Sequence, residues 1–239
     1  MTEWLSYDTK IDGASALVDV DASFDDTDER PEYTRAIELT VTGFPLDGDR
    51  LPTDGADDTL YALEQQIEDL LDAGDGVLAA TIASAGSYQF VAYAADGVLE
   101  AALAAAARGA GLQASTASQA DPNWQAYARW SLSGEALEEA RDRAQIEELI
   151  NVGDDLSAEH ELTFDYEFDD EESADAGQEA FRDAGFEVAE ESNDVFVQVF
   201  VSIVPTAEAI RDVRARMNAI AAHCGGAYAG WGAEPIEGE

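Results

Sequence analysis

The residues of this chain that could do chemistry are two histidines, one cysteine and a large surplus of carboxylates. His223 and Cys224 stand side by side. A cysteine nucleophile needs a base within about 3 Å on a fixed support, and neighbours at a helix end point in different directions. Cys224 therefore reads as a small core residue, and as the lone cysteine it forms no internal disulfide. His160-Glu161 lacks the second histidine of a zinc-protease helix and opens a strand instead. Asp19-Val20-Asp21-Ala22-Ser23 begins like a calcium loop, but its sixth residue is Phe24 rather than Gly and its twelfth is Arg30 rather than Glu. Gly109-Ala110-Gly111-Leu112-Gln113-Ala114 has the letters of a dinucleotide fingerprint. It follows a predicted helix and precedes a predicted strand, whereas the phosphate-binding turn requires the reverse order. The single lysine, Lys10, follows no glycine-rich loop, which excludes a Walker loop. With 52 acids in 239 residues, carboxylate pairs arise by chance. The sequence thus offers no catalytic residue, no metal ligand and no cofactor, and the chain reads as a non-enzyme.

Aromatic turns carry more information. Residues 225–232 read Gly-Gly-Ala-Tyr-Ala-Gly-Trp-Gly, placing Tyr228 and Trp231 among glycines. Two readings stay open: an aromatic strand that covers helices, or a partner contact, since Trp and Tyr are enriched at interface hot spots. Residues 121–127 read Asp-Pro-Asn-Trp-Gln-Ala-Tyr, where Trp124 and Tyr127 either anchor a lid or meet a partner.

These residues sit on a recognisable series of elements. Strands are expected at 3–9 and 14–21, with an acidic loop from Asp25 to Glu29 closed by Pro31. Residues 33–43 alternate as a strand. Leu60, Leu63, Ile67, Leu70 and Leu71 form a helical stripe over 57–72. Strands at 77–84 and 88–95 meet at a hairpin at Gly86-Ser87. A helix at 97–108 and a strand at 112–118 complete a β-α-β-β-α-β order. A charged helix over 134–150, N-capped by Ser133, reads as a linker. The order then repeats, without a residue-level repeat: strand 161–168 (Leu162, Phe164, Tyr166 and Phe168 on one face), helix 171–184, strands 186–191 and 195–204 around Ser192-Asn193-Asp194, a helix carrying Ile210, Val213, Met217 and Ile220, and strand 227–233. The expected fold class is α+β: two tandem ferredoxin-like domains with antiparallel sheets, residues 1–132 and 151–239, joined by a linking helix at 133–150. Right-handed crossovers put both helices of each domain on one sheet face and leave the other free.

Composition removes whole classes of partner. The formal net charge is −40, and residues 1–132 carry 24 acids against 6 bases while residues 133–239 carry 28 against 6. Nothing here neutralises a phosphate backbone, so no direct nucleic-acid partner is expected, and anionic membranes repel the chain. An excess spread this evenly is a solvent adaptation rather than a binding patch. The composition resembles that of cytosolic proteins of salt-accumulating halophilic archaea. At roughly 1 M salt the Debye length is about 3 Å, which screens the self-repulsion. With no signal peptide at the N-terminus and no apolar stretch longer than 195–204, a cytoplasmic location is expected.

The second half resembles a known family, the regulator of ribonuclease activity B, a protein inhibitor of ribonuclease E. The resemblance covers roughly residues 150–235. It rests on Gly153-Asp154-Asp155-Leu156, on the element order, and on the ending at 225–232, which is similar to the family's Gly-Gly-x-Tyr-Asp-Gly-Trp-Gly. Ala229 stands where the family has Asp. The strand entry, Ser157-Ala158-Glu159-His160-Glu161, lacks the family's basic residues, and Phe164 lies near the family's His. The first half resembles a domain family of unknown function that closes on Asp-Pro-x-Trp-x-x-Tyr, here residues 121–127. The resemblance implies a non-catalytic regulator that binds and inhibits a ribonuclease E-like endoribonuclease. The expected partner-binding residues are Tyr228, Gly230, Trp231, Asp154, Asp155, Trp124 and Tyr127. The alternatives are a protein-binding or assembly module unrelated to RNA decay and, ranked last, an enzyme with dispersed carboxylates.

Overall fold

The computed structural model describes residues 2–25, 33–154, 156–189 and 195–236. The chain divides into two compact units after Gly134. Most of the acidic loop and the turn at 192–194 lie outside the described residues.

The first unit runs β1 (Trp4–Ile11), β2 (Ala14–Asp21), β3 (Arg35–Thr42), α1 (Asp54–Ala73), β4 (Gly76–Ser84), β5 (Ser87–Ala94), α2 (Leu99–Gly109), β6 (Gln113–Ala120) and the short α3 (Gln125–Ala128). Its antiparallel sheet has the order β1-β2-β4-β5-β3-β6. The last four places are the ferredoxin-like plan; the β1–β2 hairpin extends the sheet past β4. Antiparallel neighbours need only tight turns, and Ala85 and Gly86, both at positive φ, supply one. Apolar residues at helical spacing on α1 (Leu60, Leu63, Ile67, Leu71) join Leu103 and Ala107 of α2 over Ile37, Leu39 and Phe90 in one core. The opposite face is also buried, through Val18, Val20, Ala36, Val91 and Tyr93.

The second unit runs α4 (Glu135–Asn151), β7 (His160–Phe168), α5 (Glu171–Asp183), β8 (Glu187–Val188), β9 (Phe196–Ile203), α6 (Ala207–His223) and β10 (Gly226–Ala233). The sheet order is β10-β7-β9-β8, antiparallel throughout. The four alternating residues of β7 pack against Phe181 of α5 and Ile210 and Met217 of α6. Asp170 accepts from Ser173 N at 2.8 Å and Thr206 from Ala209 N at 3.2 Å, so each of these two helices opens on a side-chain cap. Phe168 fills a slot between two glycines: a methyl group at Gly177 or Gly226 would run into its ring. The helix expected to link the domains is not a free-standing connector. α4 belongs to the second unit and packs on α6. Among the described residues, no helix of the unit lies over the other sheet face. Among the described residues, no helix is long and apolar enough to cross a membrane.

Candidate functional site

Tyr228 and Trp231 are three residues apart, a spacing that puts side chains on opposite faces of a regular strand. In β10 the register shifts between Tyr228 and Gly230: Tyr228 pairs with Tyr166, Gly230 with Asp165 and Trp231 with Phe164. The extra residue is Ala229, and Gly230 takes φ +143, a region that favours glycine. The bulge returns Trp231 to the helix side, and both rings pack against the core beside Phe164 and Tyr166. The glycines that frame the rings therefore have separate uses: Gly226 admits Phe168, and Gly230 makes the bulge.

Both rings meet a buried ionic cluster. The guanidinium of Arg214, 1% exposed, donates to Asp142 Oδ2 at 2.8 Å and to Glu135 Oε1 at 2.7 Å. The Trp231 indole N–H donates to Asp142 Oδ1 at 2.9 Å. The Arg214 charge lies 5.8 Å from the Tyr228 ring centre, within cation–π range. Burial pushes the Asp142 carboxyl up to about 6, against the pull of Arg214 and of the indole. Burial works against the Arg214 charge too, but Asp142 and Glu135 outweigh it and raise its pKa. The pair is therefore ionic at neutral pH, and it fastens α4 to α6 and β10.

The face of the sheet away from the helices carries a groove of about 670 Å³. Strand register places Gly232, Thr163, Phe200 and Glu187 in one row across β10, β7, β9 and β8. In the next row Gln198 donates to Asp165 Oδ1 at 2.9 Å. Phe200 lies in the floor, with Pro235 and Ile236 at one end and Trp231 among the lining residues. Glu161, Asp165 and Glu234 line it, and no Lys or Arg does. A lining of this kind suits a basic segment that also carries apolar side chains.

Asp154 builds the end of that groove from beneath. It is buried and accepts from Leu156 N at 2.7 Å, Ile236 N at 2.7 Å and His160 Nε2 at 2.6 Å. The other ring nitrogen of His160 meets Ala158 O at 3.0 Å. Both partners, a carbonyl and a carboxylate oxygen, are acceptors. The hydrogen bond from His160, with those from the Ile236 and Leu156 amides, holds the Asp154 carboxyl down at about 2. Asp154 thus pins the 234–236 segment rather than presenting itself to solvent. Asp155 lies outside the described residues.

In the first unit, Trp124 and Tyr127 are buried. Asp121 accepts from Gln125 N and Ala126 N, each at 2.8 Å, and from the Tyr93 hydroxyl at 2.8 Å. Trp124, at φ +53, stacks on Tyr93 with centroids 3.8 Å apart. The Tyr127 hydroxyl donates to Asp21 O at 3.0 Å. The motif closes the second face of the six-stranded sheet as a lid.

Of the residues expected at a partner site, Tyr228 and Trp231 turn their rings to the helix side, Trp231 bordering the groove only through its place in β10. Gly230 makes the bulge, Asp154 positions the groove wall, and Trp124 and Tyr127 belong to the other unit. Sequence reading passed over Phe200, Gln198, Arg214 and Asp142. Two signals were present: phenylalanine at the outward positions 196 and 200 of β9, and an arginine on the buried stripe of α6 between Ile210 and Met217.

The comparisons with known proteins agree with this division. Residues 139–233 match the family "Regulator of ribonuclease activity B", a family of regulators. Residues 2–130 match a family of unknown function, DUF695. No curated protein matches the chain. Among solved structures, a crystal structure of an unknown protein from Galdieria sulphuraria is similar at 12% identity, over 84% of this chain and 99% of that one; its TM-score of 0.23 carries no argument about fold. The chain therefore belongs to the DUF695 family through its first half and joins to it, in its second half, a domain of the family of regulators of ribonuclease activity B.

Proposed function

We propose that the second domain binds a ribonuclease E-like endoribonuclease and lowers its activity without catalysis, taking a basic and partly apolar segment of the enzyme into the groove of the open sheet face. The observation that carries this reading is the lining: Phe200 in the floor, carboxylates from Glu161, Asp165 and Glu234, and no lysine or arginine. Electrostatic complementarity steers the encounter, and the desolvated aromatic supplies the part of the affinity that salt does not screen. An acidic segment docked on an RNA-binding stretch competes with RNA for the same positive charge.

The test is capture of the ribonuclease from lysate in molar KCl by the full chain, followed by an RNA-cleavage assay with purified partner. Retention in molar salt, inhibition of cleavage, and loss of both with Phe200→Ala support the reading. Capture only at low salt, with no effect of Phe200→Ala, points to charge alone and sinks it. Recovery of nothing but the protein itself favours an assembly module.

A further inference from the structure

The two-helix layer of the first domain covers a four-stranded plan, but the sheet has six strands. The β1–β2 hairpin therefore carries the sheet beyond the flank of α1, and the step between them is a cavity of about 410 Å³. Register puts Leu17 opposite Ala83 and Asp19 opposite Thr81, so β2 and β4 form its floor, with Tyr88 of β5 alongside. One face of α1 forms a wall through Asp57, Leu60, Tyr61 and Glu64, at the i, i+3, i+4, i+7 spacing of a single helix face. The loop from Asp47 to Pro52 closes the third side. It is built rather than loose: Asp47 Oδ1 accepts from Asp49 N and Leu51 N, each at 2.9 Å, and Gly86 N donates to Arg50 O at 2.9 Å, tying the loop to the β4–β5 turn.

The interior is chemically two-sided. Leu17, Leu51 and Leu60 are apolar, and Tyr61, 67% exposed, presents its ring at the mouth. A hydrogen-bonded chain crosses the polar side: Ser6 and Thr81 donate to Asp19, the Tyr88 hydroxyl lies 3.0 Å from Thr81 Oγ1, and the same hydroxyl approaches Glu64 Oε2 at 3.4 Å. Four carboxylates (Asp19, Asp47, Asp57 and Glu64) line the cavity and no base does. Burial, with Glu68 and Asp19 nearby, pushes Glu64 up to about 7, so a cation entering beside it meets a carboxyl that gains from being paired. The volume falls within the range of small-molecule pockets.

The geometry points to a small organic cation, an ammonium group on an apolar or aromatic body, as the ligand of this cavity. The ammonium meets Glu64 and Asp19, and the body lies against Leu17, Leu60 and the Tyr61 ring. This assignment is independent of the ribonuclease reading, which concerns the other domain.

The test is calorimetric titration of the full chain with 2-phenylethylammonium, with methylammonium (charge without body) and 2-phenylethanol (body without charge) at the same ionic strength. Saturable one-to-one binding of 2-phenylethylammonium is expected, with both controls at least about tenfold weaker and Glu64→Gln weakening it about tenfold. Tyr61→Ala changes an exposed side chain, leaves the fold intact, and is expected to weaken the same probe severalfold. Equal binding of methylammonium, or binding that does not saturate, means diffuse counter-ion attraction and overturns the assignment. Binding indifferent to both variants places the probe elsewhere and overturns it too.

Discussion

The indole N–H of Trp231 and the carboxylate of Asp142 are joined by a 2.9 Å hydrogen bond across 89 residues of sequence. The bond ties the strand that ends the aromatic motif to the helix that begins the second domain. Arg214 holds the other oxygen of the same carboxylate. Asp142→Ala leaves that guanidinium without its buried partner, with only the exposed Glu135 close by, which costs about 3–5 kcal/mol. Urea denaturation of the full chain followed by circular dichroism measures it. A double variant, Asp142→Leu with Arg214→Met, is expected to lose less than Asp142→Ala because no charge is stranded. A cost below about 1 kcal/mol for Asp142→Ala would remove the cluster from the account of stability.

The slot around Phe168 makes a second prediction. Gly226→Ala adds a methyl against a ring already seated between Gly177 and Gly226, an overpacking that costs about 1–3 kcal/mol. Combining it with Phe168→Leu frees the space, so the double variant is less destabilised than the sum of the two singles. Additive losses would show that the ring and the glycine do not share the site.

Acid acts through Asp154. Its folded-state pKa lies at about 2, below the usual value of 3.8. A depressed carboxyl contributes stability that is present above the unfolded value and lost as pH falls from about 4 toward 2. Melting temperature measured across that window falls for the native chain, and the fall is shallower for Asp154→Asn. Parallel curves would assign acid unfolding to other carboxylates.

Salt acts on the whole surface. A net charge of −40 repels itself in dilute buffer, and at roughly 1 M salt the Debye length of about 3 Å screens most of that. The melting temperature is expected to rise steeply from low to molar KCl. A flat profile would sink the reading of the acidic surface as a solvent adaptation.

The element order was legible because each element carries its own period. Leu162, Phe164, Tyr166 and Phe168 alternate toward one core, and Gly74, Gly109 and Gly185 mark helix ends. What could not be read is what tertiary pairing decides. The hairpin at the N-terminus was visible, but its place beside β4, and with it the cleft against α1, depends on edge pairing. Alternation through residues 226–233 hides the bulge at Ala229, so the face shared by Tyr228 and Trp231 needed the register. α4 read as a linker because its surface is charged, yet one of those charges, Asp142, is its buried anchor. The groove was missed because its floor residue, Phe200, sits in an apolar run that reads as core.

Each sheet ends on a strand without a single charged side chain: Gln113–Ala120 in the first unit and Gly226–Ala233 in the second. Edge strands in most proteins carry their own guards, often a lysine, against pairing with another chain. Here the protection is collective, since the acids spread over the rest of the surface keep copies apart. That defence fades as the carboxyls protonate toward the isoelectric point, at about pH 4.1, while the edges stay as they are. Self-association is then expected to start at these two strands. Light scattering against pH, with a lysine placed outward on β6 or β10, would reveal whether the edges or the bulk surface set its onset.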